Sequence, residues 1–275
     1  KPICKVPKMI YGNKPADGGH LIIEDEDLKE FLNKDPNAAQ FIKPLIGASE
    51  YIKNKKRWCL WLDGANPSDI KKCPKVMERI KLCKESRESS IAAGIRKFAA
   101  TPTLFAQRTQ PVDKDFIVVP RVSSQNRRYI PIGFILAGTI VTDRVQIIPD
   151  ANLYDFGILT SNVHMAWMRT TCMRMKSDYS YSKDVVYNNF PWPTPTEAQK
   201  AKIEQTAQAI LDARALYPDC SLADLYDEVT MPPELRKAHQ QNDKAVMQAY
   251  GFWGKLNTET ECVAELMKMY QALTK

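Results

Sequence analysis

The middle of the chain contains Phe116-Ile-Val-Val-Pro-Arg121, an apolar run that ends at a proline. Two further apolar runs follow at residues 129–136 and 145–148. Short runs rich in β-branched and aromatic residues predict strands. Because the three runs are close in the chain, we expect them to form one sheet, with Pro131 placing the second strand near an edge.

The segments on the N-terminal side of this sheet alternate between strand and helix signals. Residues 24–33 predict a short helix with acidic residues at its N-terminal end. Arg57-Trp-Cys-Leu-Trp-Leu62 predicts a buried strand. A helical stretch follows from residue 66, and Pro74 indicates that a helix either begins or kinks there.

The C-terminal side of the sheet becomes helical. Residues 153–175 predict a helix, in one piece or in two pieces separated near residues 159–161. Residues 176–195 predict an irregular polar segment, either a loop or a strand followed by a loop. From Thr196 onward, strongly periodic apolar positions predict several helices. The sequence therefore predicts an α+β fold, with a mixed sheet-and-helix domain at residues 1–193 and an all-helical segment at residues 194–275.

The charge is distributed unevenly between these two parts. The net charge is +7, and residues 1–193 have 30 basic and 20 acidic residues, whereas residues 194–275 have 9 and 12. This asymmetry predicts that the first part binds a polyanion such as nucleic acid. The alternative is a basic surface that only maintains solubility.

The sequence disfavours a membrane-spanning protein, an exported protein and a zinc-binding protein. The chain has no run of 18 apolar residues, and its first residues contain no apolar signal core. Seven scattered cysteines without C-x-x-C spacing and three distant histidines do not predict a zinc site. We therefore expect reduced thiols, no metal and a cytoplasmic location. The initial Lys1 indicates a piece of a longer protein.

Catalytic motifs are not evident either. The sequence contains no G-x-G-x-x-G, no G-x-x-x-x-G-K-[ST] and no G-x-S-x-G. Asn189-Phe-Pro-Trp192 only superficially resembles the box that holds a flipped adenine, because its spacing differs. We expect no active site and no bound cofactor in this chain.

Two basic segments are candidates for nucleic-acid contact. In residues 169–189, basic side chains alternate with tyrosines, and Lys176 and Asp178 would point to the same side of an extended stretch. Such a pair can donate to guanine and accept from cytosine, although a solvated ion pair is the alternative. The second segment is the loop at residues 121–128. The predicted phosphate contacts are Arg121, Ser123, Ser124, Arg127, Arg128, Arg169, Arg174, Lys183, Tyr187 and Asn188.

Several motifs, in this order, resemble the C-terminal half of MmeI-like adenine-N6 DNA methyltransferases, the fused type IIG/IIL restriction–modification enzymes. They are Gly12-Asn-Lys-Pro15, Asp17-Gly-Gly19, Trp58-Cys-Leu-Trp-Leu62, Val119-Pro-Arg-Val-Ser-Ser124, Tyr129-Ile-Pro-Ile-Gly133, His164-Met-Ala-Trp-Met-Arg169, Tyr187-Asn-Asn-Phe-Pro-Trp-Pro193 and Ser221-Leu-Ala-Asp-Leu-Tyr226. The resemblance implies a target recognition domain and a helical C-terminal segment. It also implies an upstream methyltransferase domain that binds S-adenosylmethionine, with or without a nuclease domain.

The resemblance further implies which residues read bases. The family's base-reading positions correspond to Lys176, Asp178 and Ser180, with Arg144 as the partner of Ser180. The expected function is sequence-specific recognition of double-stranded DNA for methylation by the upstream domain. A protein-interaction module with a basic surface is the alternative. The helical segment would dock either on the recognition domain or on the methyltransferase domain.

Overall fold

The chain has a mixed α+β fold with three small sheets and a helical C-terminal part. The structure is a computed structural model that describes residues 1–111 and 113–275. The strands are β1 (Ile10–Tyr11), β2 (Ile22–Glu24), β3 (Ile42–Ile46), β4 (Arg57–Leu60), β5 (Phe116–Pro120), β6 (Val122–Ser123), β7 (Gly133–Ile135), β8 (Ile140–Val141), β9 (Val145–Ile148), β10 (Met173–Met175) and β11 (Asp178–Ser180). The α-helices are α1 (Asp25–Lys34), α2 (Ala48–Lys53), α3 (Pro67–Lys71), α4 (Pro74–Glu88), α5 (Ala93–Arg96), α6 (Leu153–Leu159), α7 (Asn162–Thr171), α8 (Glu197–Ala215), α9 (Leu222–Leu225), α10 (Pro233–Tyr250) and α11 (Glu259–Thr274).

The central sheet has the strand order β1-β9-β5-β7 and is antiparallel throughout. The three apolar runs predicted to form one sheet are its strands β5, β7 and β9, and β7 lies at an edge as Pro131 suggested. Strand β5 is buried on both faces. Ile117 and Val119 belong to one apolar core, whereas Phe116 and Val118 belong to another on the opposite face.

A second unit has a four-stranded sheet, and three of its strands come before β5 in the chain. Its strands have the order β2-β4-β3-β8, and its core includes Val76, Ile80 and Cys83 from one face of α4. Helix α4 begins with Pro74 in its first turn, where proline needs no backbone N–H partner. Of the two possibilities for Pro74, a helix start is therefore the correct one.

Arg87 on α4 is fully buried and bonds only to backbone carbonyls. Its Nε donates to the oxygen of Ala16, and Nη2 donates to Pro15 and Leu104. Its Nη1 donates to Phe98 and Thr101. All five N–H groups are thus used, at 2.7–3.0 Å, to fix two irregular segments against α4.

The helical tail, defined here as residues 194–275, packs on residues 1–193, the expected recognition part of the same chain. Helix α8 contacts α6 and α10, while α11 contacts α7. The contact between α6 and α8 is close, because a Cβ at Gly157 would lie 2.6 Å from Cγ2 of Ile203. Of the two docking sites left open by the sequence, the structure shows docking on the recognition part, with which the tail shares one apolar core.

The predicted helix over residues 153–175 consists of two helices and ends earlier than expected. Helices α6 and α7 meet at residues 160–161, where the sequence suggested a break. The prediction of helix up to Met175 is wrong, because α7 ends at Thr171 and β10 begins at Met173. Pairing of β10 with β11 gives these residues an extended partner, and this outweighs their helical propensity.

We expect Arg87→Met to lower the free energy of unfolding by at least about 4 kcal/mol, because five buried carbonyl oxygens would lose their donor. Urea unfolding followed by tryptophan fluorescence measures this loss. Lys84→Met, at an exposed position of the same helix, is the control and should change stability by less than about 0.5 kcal/mol. A loss below about 1 kcal/mol for Arg87→Met would contradict the role assigned to this side chain.

Candidate nucleic-acid interface

A two-stranded hairpin, residues 173–180, protrudes beside the central sheet. Met173 pairs with Ser180, and Met175 pairs with Asp178, so β10 and β11 are antiparallel. Strand β11 also pairs with β6, which attaches the hairpin to the strand that follows β5. The hairpin is therefore attached to the chain segment that directly follows the buried strand β5.

Lys176 occupies the two-residue turn of this hairpin. Its φ of 56° is left-handed, and its side chain is exposed. The premise that Lys176 and Asp178 lie on one extended stretch is therefore wrong: Lys176 is at the tip, and Asp178 begins the returning strand. An Asp178 carboxylate oxygen accepts from the backbone N–H of Gln125 at 3.3 Å. Their base-reading roles stay predictions.

One face of the hairpin lines a groove, defined by residues 14–16, Arg121, Arg144, Met175 and Ser180. The groove brings together Arg144 and Ser180, which the sequence analysis paired. Arg121 donates to the carbonyl of Asp143 at 3.0 Å and lies over the ring of Tyr11. Glu50 and Asp143 also line the groove. Within the described residues, however, neither Arg121 nor Arg144 forms an ion pair with a carboxylate.

The other side of the hairpin borders a cleft, defined by residues 125–129, Arg169, Tyr179, Glu228 and residues 256–259. Arg169 binds both carboxylate oxygens of Glu259, at 2.8 and 2.9 Å, and donates to the carbonyl of Arg128. Nε of Arg127 is buried without a hydrogen-bond partner among the described residues. Burial lowers the pKa of Arg127. The tail thus supplies acidic partners to a cleft that is otherwise basic.

Three predicted phosphate contacts are not placed to reach a phosphate. Ser123 is buried, and Tyr187 is fully buried with its hydroxyl donating to the carbonyl of Pro7 at 2.5 Å. Asn188 is buried and donates to a carboxylate oxygen of Asp184 at 3.3 Å. These three polar side chains are part of the protein interior. We therefore remove Ser123, Tyr187 and Asn188 from the predicted phosphate contacts.

The remaining predicted phosphate contacts differ in their exposure and in the protein groups that they already contact. Arg128 and Arg174 are exposed, and Arg174 lies over the ring of Tyr179, 4.1 Å from its centroid. Ser124 is half-buried and accepts from the N–H of Asn126. Lys183 is half-buried and forms an ion pair with Asp184 at 2.6 Å.

Sequence reasoning missed several residues of the groove, among them Lys14, Arg57 and Met175. Lys14 and Arg57 are far from the basic segments in the chain, and only the fold brings them there. Met173 and Met175 alternate with Arg174, which is the pattern of a strand with one apolar face. That pattern could have identified β10.

Residues 1–111 and 113–275 contain neither a metal site nor a membrane-spanning helix. No group of histidine, cysteine, aspartate or glutamate side chains there could hold a metal ion. No helix in that part of the chain is both long and apolar enough to cross a membrane.

Comparison with known proteins gives the family. The model of the MmeI target recognition domain matches residues 1–194, and the model of the MmeI C-terminal domain matches residues 195–275. The chain belongs to the MmeI family. The predicted resemblance and the α+β fold class are confirmed. The domain boundary after Pro193 stays a prediction, because both parts share one apolar core.

Two relatives of this MmeI-family chain extend well beyond it. DNA methyltransferase A of Bacillus subtilis (strain 168) is 40% identical over 274 residues, which are 100% of this chain and 31% of that protein. The solved structure of the type IIL restriction–modification enzyme MmeI in complex with DNA is 46% identical, with a TM-score of 0.96. It covers 100% of this chain and 36% of MmeI. The chain thus spans about a third of the length of these relatives.

In this member of the family, a buried carboxylate joins the tail to the base of the cleft. Asp243 on α10 accepts from the Tyr129 hydroxyl at 2.6 Å and from the backbone N–H of Asn162, the first residue of α7, at 2.7 Å. Burial raises the pKa of Asp243 to about 6, although Tyr129, Asn162 and Arg128 act in the opposite direction. The Asp243 side chain therefore holds the N-terminus of α7 in place, although burying its charge is unfavourable.

We expect Asp243→Asn to change the pH dependence of stability. Between pH 4 and 6 the folded wild type retains a proton on Asp243 that the unfolded chain releases, so this group stabilises the fold below pH 4. That contribution is lost as the pH rises through 6. Relative to Asp243→Asn, the free energy of unfolding of the wild type should thus fall by about 2–3 kcal/mol over this range.

Urea unfolding of both proteins from pH 4 to pH 8 measures this difference. Asp212→Asn, at an exposed position on α8, is the control and should follow the wild type at every pH. A difference between wild type and Asp243→Asn that stays constant from pH 4 to 6 would contradict the assignment.

Proposed function

We propose that this chain is the sequence-recognition module of an adenine-N6 DNA methyltransferase and that it binds double-stranded DNA. The observation that carries the proposal is the hairpin at residues 173–180, which has an exposed lysine at its tip and unpaired guanidinium groups in the adjacent groove. A two-stranded ribbon of this kind fits the major groove of B-DNA. The relative solved with DNA supports this choice of partner.

In this proposal, the hairpin reads base edges. Lys176 donates to guanine from the turn, and Asp178 accepts from cytosine at the start of β11. Arg144 and Ser180 form a second reading pair, which is supported by their position in one groove. Among the described residues, Gln125 is the one donor to the Asp178 carboxylate, so its other oxygen can accept from a base amino group.

Phosphate contacts, in this proposal, flank the hairpin on both sides. Arg121 is in the groove, whereas Arg127 and Arg128 are in the cleft. The other proposed contacts are Ser124, Arg169, Arg174 and Lys183. Arg169 would exchange its bidentate carboxylate, Glu259, for a phosphate of similar geometry. These contacts position the duplex, and the hairpin supplies specificity.

Methyl transfer itself belongs, in this proposal, to a part of the parent protein outside this chain. That part would bind S-adenosylmethionine and hold the target adenine, and the parent would act in the cytoplasm with or without a nuclease domain. The name of the B. subtilis relative supports the methyltransferase activity. The alternative, a protein-interaction module, relied on the acidic helical tail. The apolar faces of α8, α10 and α11 pack within this chain, which weakens that reading.

Titration of the chain into a labelled random-sequence duplex across a salt series tests the proposal. With the six cationic phosphate contacts of this proposal, the log of the association constant should fall with log salt at a slope of about −5. Single-stranded DNA of equal length should bind more weakly. No duplex binding at low salt, or a flat salt dependence, would contradict the proposal.

A matched pair of variants locates these contacts. Arg128→Gln with Arg174→Gln should make the slope shallower by about 2, because each contact contributes about one unit. Lys81→Gln with Lys84→Gln, on the exposed face of α4, should leave the slope unchanged.

Exchanging the charges of Lys176 and Asp178 should change the preferred sequence at one position. In Lys176→Glu with Asp178→Arg, the acid and the base trade places, so a G·C preference should become C·G. Selection from a random duplex pool measures this preference. The control reverses the exposed ion pair of Lys114 and Asp150, at the opposite end of the central sheet. An unchanged sequence preference in the exchanged hairpin variant would remove the base-reading role of these two residues.

A further inference from the structure

The hairpin carries two exposed methionines that neither of its predicted base-reading pairs uses. Met173 is 66% exposed and Met175 is 55% exposed, although the strand that contains them has only three residues. Neither side chain belongs to an apolar core described above. An apolar pair that no core explains indicates contact with something outside the fold.

The register places these methionines beside the predicted base-reading residues. Met173 is opposite Ser180, and Met175 is opposite Asp178. Cross-strand partners lie on the same face of a ribbon, and alternate residues share a face. Both methionines, Asp178 and Ser180 therefore share one face, while Arg174 and Tyr179 pack together on the other.

The cations around this face favour a polyanionic partner, although Asp178 lies on the face and Glu50 and Asp143 also line the groove. Arg121 and Arg144 line the same groove as Met175, and Lys176 is at the adjacent tip. Within the described residues, none of these three cations is within ion-pair distance of a carboxylate. An apolar strip bordered by unpaired cations fits a duplex groove better than it fits an apolar protein surface.

We propose that Met173 and Met175 contact the 5-methyl groups of thymines in the major groove and so specify A·T pairs next to the pair read at the hairpin tip. The inference rests on the proposed function and adds two specificity-determining residues to it. The thymine methyl is the one apolar group that base edges present in the major groove. Methionine is flexible and polarisable, which suits a contact with an exposed methyl group.

Strand geometry sets the spacing of these contacts. Two residues along an antiparallel strand span about 6.8 Å. This is close to two base steps, since each base on one strand adds about 3.4 Å. Met175 pairs with Asp178 and is therefore nearer the tip. We expect one thymine close to the pair read by Lys176 and Asp178, and a second about two steps farther away.

The test begins with selection of duplexes by this chain from a random pool. In the duplex that is selected, each thymine is then replaced singly by uracil, which removes only the 5-methyl group. The wild type should bind about fourfold more weakly when uracil replaces the thymine near either methionine, which corresponds to one buried methyl group. Met175→Gln should bind thymine and uracil equally at the nearer position, and Met173→Gln should do so at the farther one.

Two variants control for general effects. Met175→Leu should retain the preference for thymine, because leucine remains apolar. Met77→Gln, at a position on α4 that is 41% exposed, should bind every duplex as the wild type does. Glutamine has nearly the length of methionine and both hairpin positions are exposed, so folding should be unaffected.

The outcomes separate this inference from the proposed function. A selected site without thymine near the tip pair would overturn the inference. The same holds if uracil has no effect on wild-type binding, or if the glutamine variants keep the preference for thymine. In each of these cases, duplex binding with a steep salt dependence still supports DNA recognition. Failure of the wild type to bind any duplex would overturn both.

Discussion

The burial of β5 on both faces is the constraint on which the rest of the structure depends. Ile117 and Val119 face the core shared with the tail, and Phe116 and Val118 face the core toward the N-terminal unit. A strand buried on both sides excludes water from its hydrogen bonds and fixes its register firmly. Strand β5 ends at Pro120, and the next residue, Arg121, lines the groove. The rigid strand therefore fixes the position of this side of the groove.

The hairpin depends on the tail in a similar way. Helix α7 leads directly into β10, and it is held by α10 and α11. The Asp243 carboxylate accepts from the first N–H of α7, where the helix dipole favours negative charge. Arg87 plays the corresponding role across the groove, since it holds the carbonyls of Pro15 and Ala16 in the opposite wall. Both walls thus rest on buried polar contacts whose donors and acceptors are matched.

The elements that the sequence predicted well are those defined by burial. The continuous apolar run of β5 and the helical periodicity of the tail follow directly from which faces are hidden from water. The hairpin was missed because its strands have three residues each. Strand β10 is held by β11, and β11 by β6, and no local sequence pattern encodes these pairings. Lys176 in the hairpin turn has a left-handed conformation, but the turn contains no glycine or asparagine, the residues that usually indicate such a turn in a sequence. Ser123 and Tyr187 were misassigned because a polar side chain does not show in the sequence whether it faces solvent or the core.

The arginines on the two sides of the hairpin differ in whether a carboxylate already neutralises them. In the cleft, Glu259 already neutralises Arg169, so a phosphate that binds there must displace a carboxylate and gains little net energy. In the groove, Arg121 and Arg144 form no ion pair with a carboxylate among the described residues. A phosphate that binds there releases its counterions without displacing a protein carboxylate. A phosphate at Arg121 therefore meets no competing carboxylate, and this position lies next to the residues proposed to read bases. Met173, Met175 and Lys176 are exposed, and Asp178 is half-buried. None of them belongs to an apolar core, so substitutions at these positions should cost the fold little stability.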